Sequence, residues 1–185
     1  MKMSKKFSFL IIFLLIAAGV ASRFMPHAWN MTPIVAISLF ASVYFGIRYS
    51  LFTVGATMLI SDLFIGFYDL RIMLSVYAGF AVASLIGLLV RKHKTAVSVL
   101  LGAASSSAFF FVLTNWAVWQ FGTMYERSAA GLLESFAMAL PFFKNMLIGD
   151  VVYSAILFGA YELALAFSQK LKLRASSEKI YLEKV

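Results

Sequence analysis

Apolar segments long enough to cross a bilayer follow one another through this chain, with only short polar turns between them. From Phe7 to Ala21 every residue but Ser8 and Gly19 is apolar. A membrane-spanning helix uses about 20 mainly apolar residues, and in hydrocarbon each backbone N–H and C=O must be satisfied within the protein. Composition carries the argument to the whole chain. Of 185 residues, 62% are apolar and 13% charged, against about 45–50% and about 25% in soluble domains. That leaves room for about five or six spans in one bundle. A soluble enzyme, a disordered chain and a nucleic-acid-binding domain are excluded. The formal charge of +8 reads as the bias of cytoplasmic loops, not as affinity for nucleic acid. The absence of cysteine removes disulfides, thiolate metal sites and cysteine nucleophiles.

The breaks between segments predict an all-α membrane protein, a bundle of six transmembrane helices at about 7–24, 33–45, 50–65, 72–90, 95–115 and 142–167. Residues 1–170 form one transmembrane domain, followed by a basic cytoplasmic tail over 171–185. The first segment also has the anatomy of a secretory signal peptide, with Gly19 and Ala21 placed for cleavage. The spans that follow, and its extension to Phe24, favour a retained helix. Pro26 and Pro33 mark the first connection, Gly46 to Ser50 a tight turn, and Arg91-Lys-His-Lys94 the sharpest boundary. The second and third helices are short for full spans, which implies tilting or local thinning. Residues 116–141 read as an outer loop plus a short amphipathic or re-entrant helix.

Charge then orients the bundle. Lys2, Lys5, Lys6, Arg48, Arg91, Lys92, Lys94, Lys170, Lys172, Arg174, Lys179 and Lys184 fall on one side, and only Arg23, Arg71, Arg127 and Lys144 on the other. Twelve basic residues against four place both termini in the cytoplasm.

With that orientation the polar residues gather at the outer end. Arg23, His27, Trp29 and Asn30 belong to the first outer loop, and Asp62 to the end of helix three. Asp69 and Arg71 follow in the next turn. Asn115, Trp116, Trp119 and Gln120 close helix five, and Lys144, Asn145 and Asp150 lie on helix six. Ionisable groups at membrane depth are costly and tend to face a partner or a wet cavity. Arg23, Trp29, Asn30, Asp62, Asn115, Trp116, Asn145 and Asp150 are therefore expected to serve one outward substrate pocket, with Trp29 and Asn30 in its lid. The competing explanations are that Asp62 and Asp150 pair with Arg23, Arg71 or Lys144 to lock the bundle, and that the tryptophans form an interfacial belt. Gly55, Asp62 and Gly66 share a helical face, which offers a carboxylate flanked by close-approach positions. Gly79, Ala83 and Gly87 form a packing stripe on helix four. Glu162 reads as interfacial or paired.

Several chemistries lack their residues. There is no Gly-x-x-x-x-Gly-Lys-Ser/Thr loop, no His-Glu-x-x-His and no Gly-x-Ser-x-Gly. His27 and His93 fall on opposite sides, which disfavours a histidine metal site or a Ser/His/Asp triad. No cofactor, metal or catalytic residue is expected.

Ala17-x-x-x-Ala21, the loop 23–33 and the six-helix plan resemble the substrate-binding (S) components of energy-coupling-factor vitamin transporters. Pro26-His-Ala-Trp-Asn-Met-Thr-Pro33, Leu113-Thr-Asn-Trp116 and Pro141-Phe-Phe-Lys-Asn-Met-Leu-Ile-Gly-Asp150 resemble an uncharacterised family of bacterial membrane proteins assigned to transport. The resemblance covers about residues 7–167. It implies an S-component-like bundle in the bacterial cytoplasmic (inner) membrane that binds a small-molecule substrate. It also implies a transmembrane coupling subunit docked at Ala17 and Ala21, ATPases in trans, and lipids around the bundle. An envelope scaffold, or a lipid-modifying enzyme using Asp62 and Asp150, are the alternatives.

Overall fold

The computed structural model describes residues 5–26 and 28–182, with side chains as far as Arg174 apart from His27. Lys2, His27, Lys184 and the side chain of Lys179 lie outside what is described. The described residues contain six helices: α1 Lys5–Phe24, α2 Ile34–Phe45, α3 Ile47–Ile65, α4 Leu70–Lys92, α5 Ala96–Phe121 and α6 Ala129–Leu182. Among them α1, α4, α5 and α6 are each long and apolar enough to cross a membrane, and α2 is a shorter apolar helix.

The bundle has its large apolar side chains outside and many of its small polar ones inside. Phe13, Phe52, Leu63, Phe64, Leu89, Leu101 and Leu163 are exposed, whereas Ser38, Ser42, Ser50, Thr53, Thr57, Ser61, Ser84 and Ser107 are buried. Hydrocarbon removes the penalty on exposed apolar surface, and small residues let helices approach closely. Each buried hydroxyl still needs an acceptor. Thr53, Thr57 and Ser61 donate to carbonyls one turn back. Ser50 crosses to the Ser38 carbonyl and to Ser84, and Ser42 to the Ser84 carbonyl.

The second helix sits at the centre of the bundle. Ile34 to Val43 is buried on every side, and α2 touches each of the other five helices. Apolar residues all round it fit a central position. Its 12 residues reach about 18 Å, short of the hydrocarbon thickness of about 30 Å. Glycine makes the fit possible. A Cβ at Gly87 on α4 would lie 2.6 Å from Ser42 Cβ and 3.1 Å from the Leu39 carbonyl oxygen, so the Gly79-Ala83-Gly87 stripe is internal packing. The glycine expectation for α3 does not hold. Gly55 has nothing within 4 Å, and Gly66, at φ +107°, closes the helix instead of packing against a neighbour.

The second departure lies before the last span. The α5–α6 connection covers only 122–128, and α6 begins at Ala129 and runs on through Pro141. No separate amphipathic or re-entrant helix exists between the fifth and sixth helices. Residues 129–141 are the first turns of α6. Pro141 suits a helix start because its missing N–H is unneeded there, yet here it lies inside α6, where it gives up the bond to the Ala137 carbonyl and its ring crowds that carbonyl. The other end of α6 also continues, through 171–182.

Candidate functional site

At the end of the bundle formed by the carboxyl ends of α1, α3 and α5 lies a cavity of about 310 Å³ to which all six helices contribute. Helical spacing explains its walls. Ile72, Val76 and Phe80 are successive turns of α4, and Phe110, Thr114 and Val118 successive turns of α5. Ala139, Phe142, Met146 and Asp150 form the matching stripe of α6, at steps of three and four that keep one face. Met58 comes from α3, Ile34 and Val35 from α2, and Arg23 from α1. Asn30 and Thr32 bring in the α1–α2 connection.

That connection is held in place by two contacts. Asn30 adopts φ 61°, a left-handed conformation that asparagine tolerates better than most residues. A Cβ at Gly149 would lie 2.7 Å from Met31 Cγ, so the loop rests on α6 beside Asp150. Trp29 is 72% exposed and stacks on the lining residue Phe142, centroids 5.4 Å apart.

The polar groups divide into two sets. Arg23 Nη1 donates to Asp62 Oδ1 and Ser61 Oγ, each at 2.5 Å, and to the Met58 carbonyl at 3.5 Å. The Tyr77 hydroxyl donates to Asp62 Oδ2 at 2.9 Å. Both Asp62 oxygens are thus engaged, and the carboxylate stands behind Arg23, outside the cavity lining. Asp150 is equally buried, 1% exposed. Its Oδ2 accepts from Ser107 Oγ at 2.6 Å. Among the described residues Oδ1 has no hydrogen-bond partner and no cation reaches the carboxyl. One turn further along α6, Ser154 is buried with its hydroxyl unpartnered among the described residues.

Of the eight pocket residues expected from sequence, Arg23, Asn30, Asn115 and Asp150 line the cavity. Asp62 and Trp29 support lining residues from behind or above. Trp116 faces outward, 42% exposed, with its edge to Phe121. Asn145 is not among the lining residues, since it sits about 100° around α6 from Met146. Trp119 donates to the Glu126 carbonyl at 3.0 Å and pins the short α5–α6 loop. Sequence reading missed Thr32, Thr114, Ser107 and Tyr77. Ser107 had a signal, lying two turns before Thr114 on one face of α5. Ala17 and Ala21 lie on the exposed side of α1, while Gly19 faces α3, where a Cβ would approach Thr57 Cγ2 to 2.7 Å.

At the rim, Asp69 caps α4, accepting from the backbone N–H groups of Arg71 and Ile72. The Arg71 guanidinium, aided by those N–H groups, holds its carboxyl below the usual carboxylate range. At the opposite end of the bundle Glu162 accepts from Lys94 and from the Tyr44 hydroxyl, each at 2.5 Å. Among the described residues no three metal-ligating side chains converge.

No curated protein and no solved structure matches the chain. A family of unknown function (DUF6580) matches residues 3–174, and the chain belongs to that family.

Proposed function

We propose that this protein is the substrate-binding membrane subunit of an uptake transporter for a vitamin-like or other small micronutrient, energised by separate coupling and ATPase subunits. The observation that carries the reading is the unpartnered Oδ1 of Asp150 in a cavity of about 310 Å³. Ligand pockets run from about 300 Å³ upward and combine apolar walls with a few placed polar groups. Arg23 is already neutralised by Asp62, so the uncompensated acceptor is Asp150. The matching ligand is small and largely apolar, with an N–H donor or cationic head. Thr114, Asn115 and Asn30 supply further polar contacts, and the loop carrying Trp29 and Asn30 is the lid.

The resemblance to energy-coupling-factor S components supports the separate coupling and ATPase subunits. The chain has no nucleotide-binding loop, which suits energising chains in trans. The exposed Ala17 and Ala21 offer a flat strip on α1 for a coupling helix. Both termini lie in the cytoplasm on the charge argument, and the cavity opens outward. An enzyme with Asp62 and Asp150 as acid and base finds no support in the geometry, because Arg23 and Tyr77 occupy Asp62.

Native mass spectrometry of gently extracted protein tests the proposal. A retained small molecule, lost in Asp150→Asn, is the expected result. A cavity that retains nothing and a protein that brings down no coupling complex would overturn it. Ala17→Leu and Ala21→Leu should fold and bind ligand yet fail to assemble. Cysteines placed at Lys94 and Arg127 in this Cys-free chain should label from inside and outside respectively.

A further inference from the structure

A second cavity, of about 520 Å³, lies at the basic end of the bundle, where α1 begins, α2 meets α3 and α4 ends. It shares no residue with the first. Lys5, Arg91 and Lys94 line it, and no acidic residue does. Lys94 is already paired with Glu162. Among the described residues neither Lys5 nor Arg91 meets a carboxylate. Tyr49 adds a polar edge from α3, whose amino end has no side-chain cap and so leaves backbone N–H groups exposed at this end.

The cavity also continues into an apolar groove. Phe9, Ile12 and Tyr49 belong both to it and to a neighbouring groove of about 490 Å³ that Arg48 and Phe52 complete. Tyr49 meets Phe9 edge-on at 6.3 Å, and Phe52 is 62% exposed. A concentrated positive site thus opens onto an apolar channel between α1 and α3. A free inorganic anion would use the first part and leave the second empty. A soluble apolar ligand would do the reverse.

We propose that this end of the bundle is a specific site for an anionic phospholipid. Its phosphate lies among Lys5, Arg91 and Lys94, and an acyl chain lies along Phe9, Ile12 and Phe52. The complementarity is that of a phosphodiester carrying negative charge on oxygens that accept from guanidinium and ammonium donors. Juxtamembrane basic residues attract anionic lipid headgroups. Here two without a carboxylate partner, Lys5 and Arg91, and the Glu162-paired Lys94 converge on one cavity instead of spreading over a surface.

The test uses the full chain in nanodiscs of phosphatidylcholine, with and without phosphatidylglycerol, followed by native mass spectrometry after mild detergent release. One phosphatidylglycerol should stay bound per protein in preference to phosphatidylcholine. The Lys5→Gln/Arg91→Gln double variant should lower that retention roughly tenfold or more. Its thermal stability in phosphatidylcholine should match the parent, since both side chains are exposed. Neither millimolar inorganic phosphate nor glycerophosphoglycerol, the headgroup without its chains, should displace the lipid. Equal retention of the two lipids, or unchanged retention in the variant, would overturn the site. Displacement by inorganic phosphate alone would reassign it to a soluble anion and overturn the lipid proposal.

Discussion

Two aspartates, each 1% exposed, sit at the same end of this bundle and are treated oppositely by their surroundings. Asp62 is closed in on both oxygens, by the Arg23 guanidinium and the Tyr77 hydroxyl. Asp150 receives one serine hydroxyl and keeps an oxygen facing the cavity. A buried charge met by an opposite charge and further donors locks helices together, here α1, α3 and α4. An acid with one donor at a cavity wall leaves its second oxygen to whatever fills the cavity, water included. The contrast separates a carboxylate with both oxygens engaged across three helices from one with a single hydroxyl donor at the cavity wall.

Removing each acid should therefore have different consequences. Asp62→Ala strands the Arg23 guanidinium and should cost about 3–5 kcal/mol of stability, read as a large fall in the thermal midpoint in detergent. The double variant Arg23→Met/Asp62→Leu should recover most of that loss, because replacing both partners removes the uncompensated charge. A small effect of Asp62→Ala alone would erase the distinction. Ser107→Ala takes away the single donor to Asp150 and should cost about 1–3 kcal/mol.

Asp150→Asn keeps the shape and still accepts from Ser107. Its stability should change by less than about 1 kcal/mol while ligand retention is lost. A collapse of the fold in this variant would place Asp150 with Asp62 as a structural group. The smallest effect belongs to Asp69 at the rim. Its carboxyl is held below the ordinary value, so its contribution is whole above about pH 4 and is lost as pH falls through the depressed native value. Asp69→Asn should remove that acid sensitivity from the unfolding curve and leave Asp150-dependent binding intact.

Most helix ends were legible, because turns here are written in Gly46, Gly66, the Asp69 cap and the Arg91–Lys94 run. The α5–α6 region was not. Pro141 has the chemistry of a helix start, yet α6 begins twelve residues earlier and passes through it, against α5 and α2. The cavity was legible in its acids and amides but not in its rotation. A helix apolar on all sides gives no periodic signal for which face turns inward. Asn145 and Met146 were therefore indistinguishable until α6 was placed, and so were Trp116 and Thr114 on α5. Asp62 lay within reach of sequence reasoning because Arg23 was one of few cations at that end. Its second partner, Tyr77, carries no sequence mark.

The central placement of α2 bears on how the chain is assembled during synthesis. Gly46, at φ +93°, joins α2 to α3 with a single residue, so the two are neighbours in synthesis as well as in the fold. At about 18 Å α2 cannot hold itself across hydrocarbon, and at that stage only α1 and α3 can shelter it. Its remaining cover comes from α4, α5 and α6, which are translated later. The centre of the protein is thus completed by its last helix, and a chain arrested before α6 should expose α2 to degradation in the membrane.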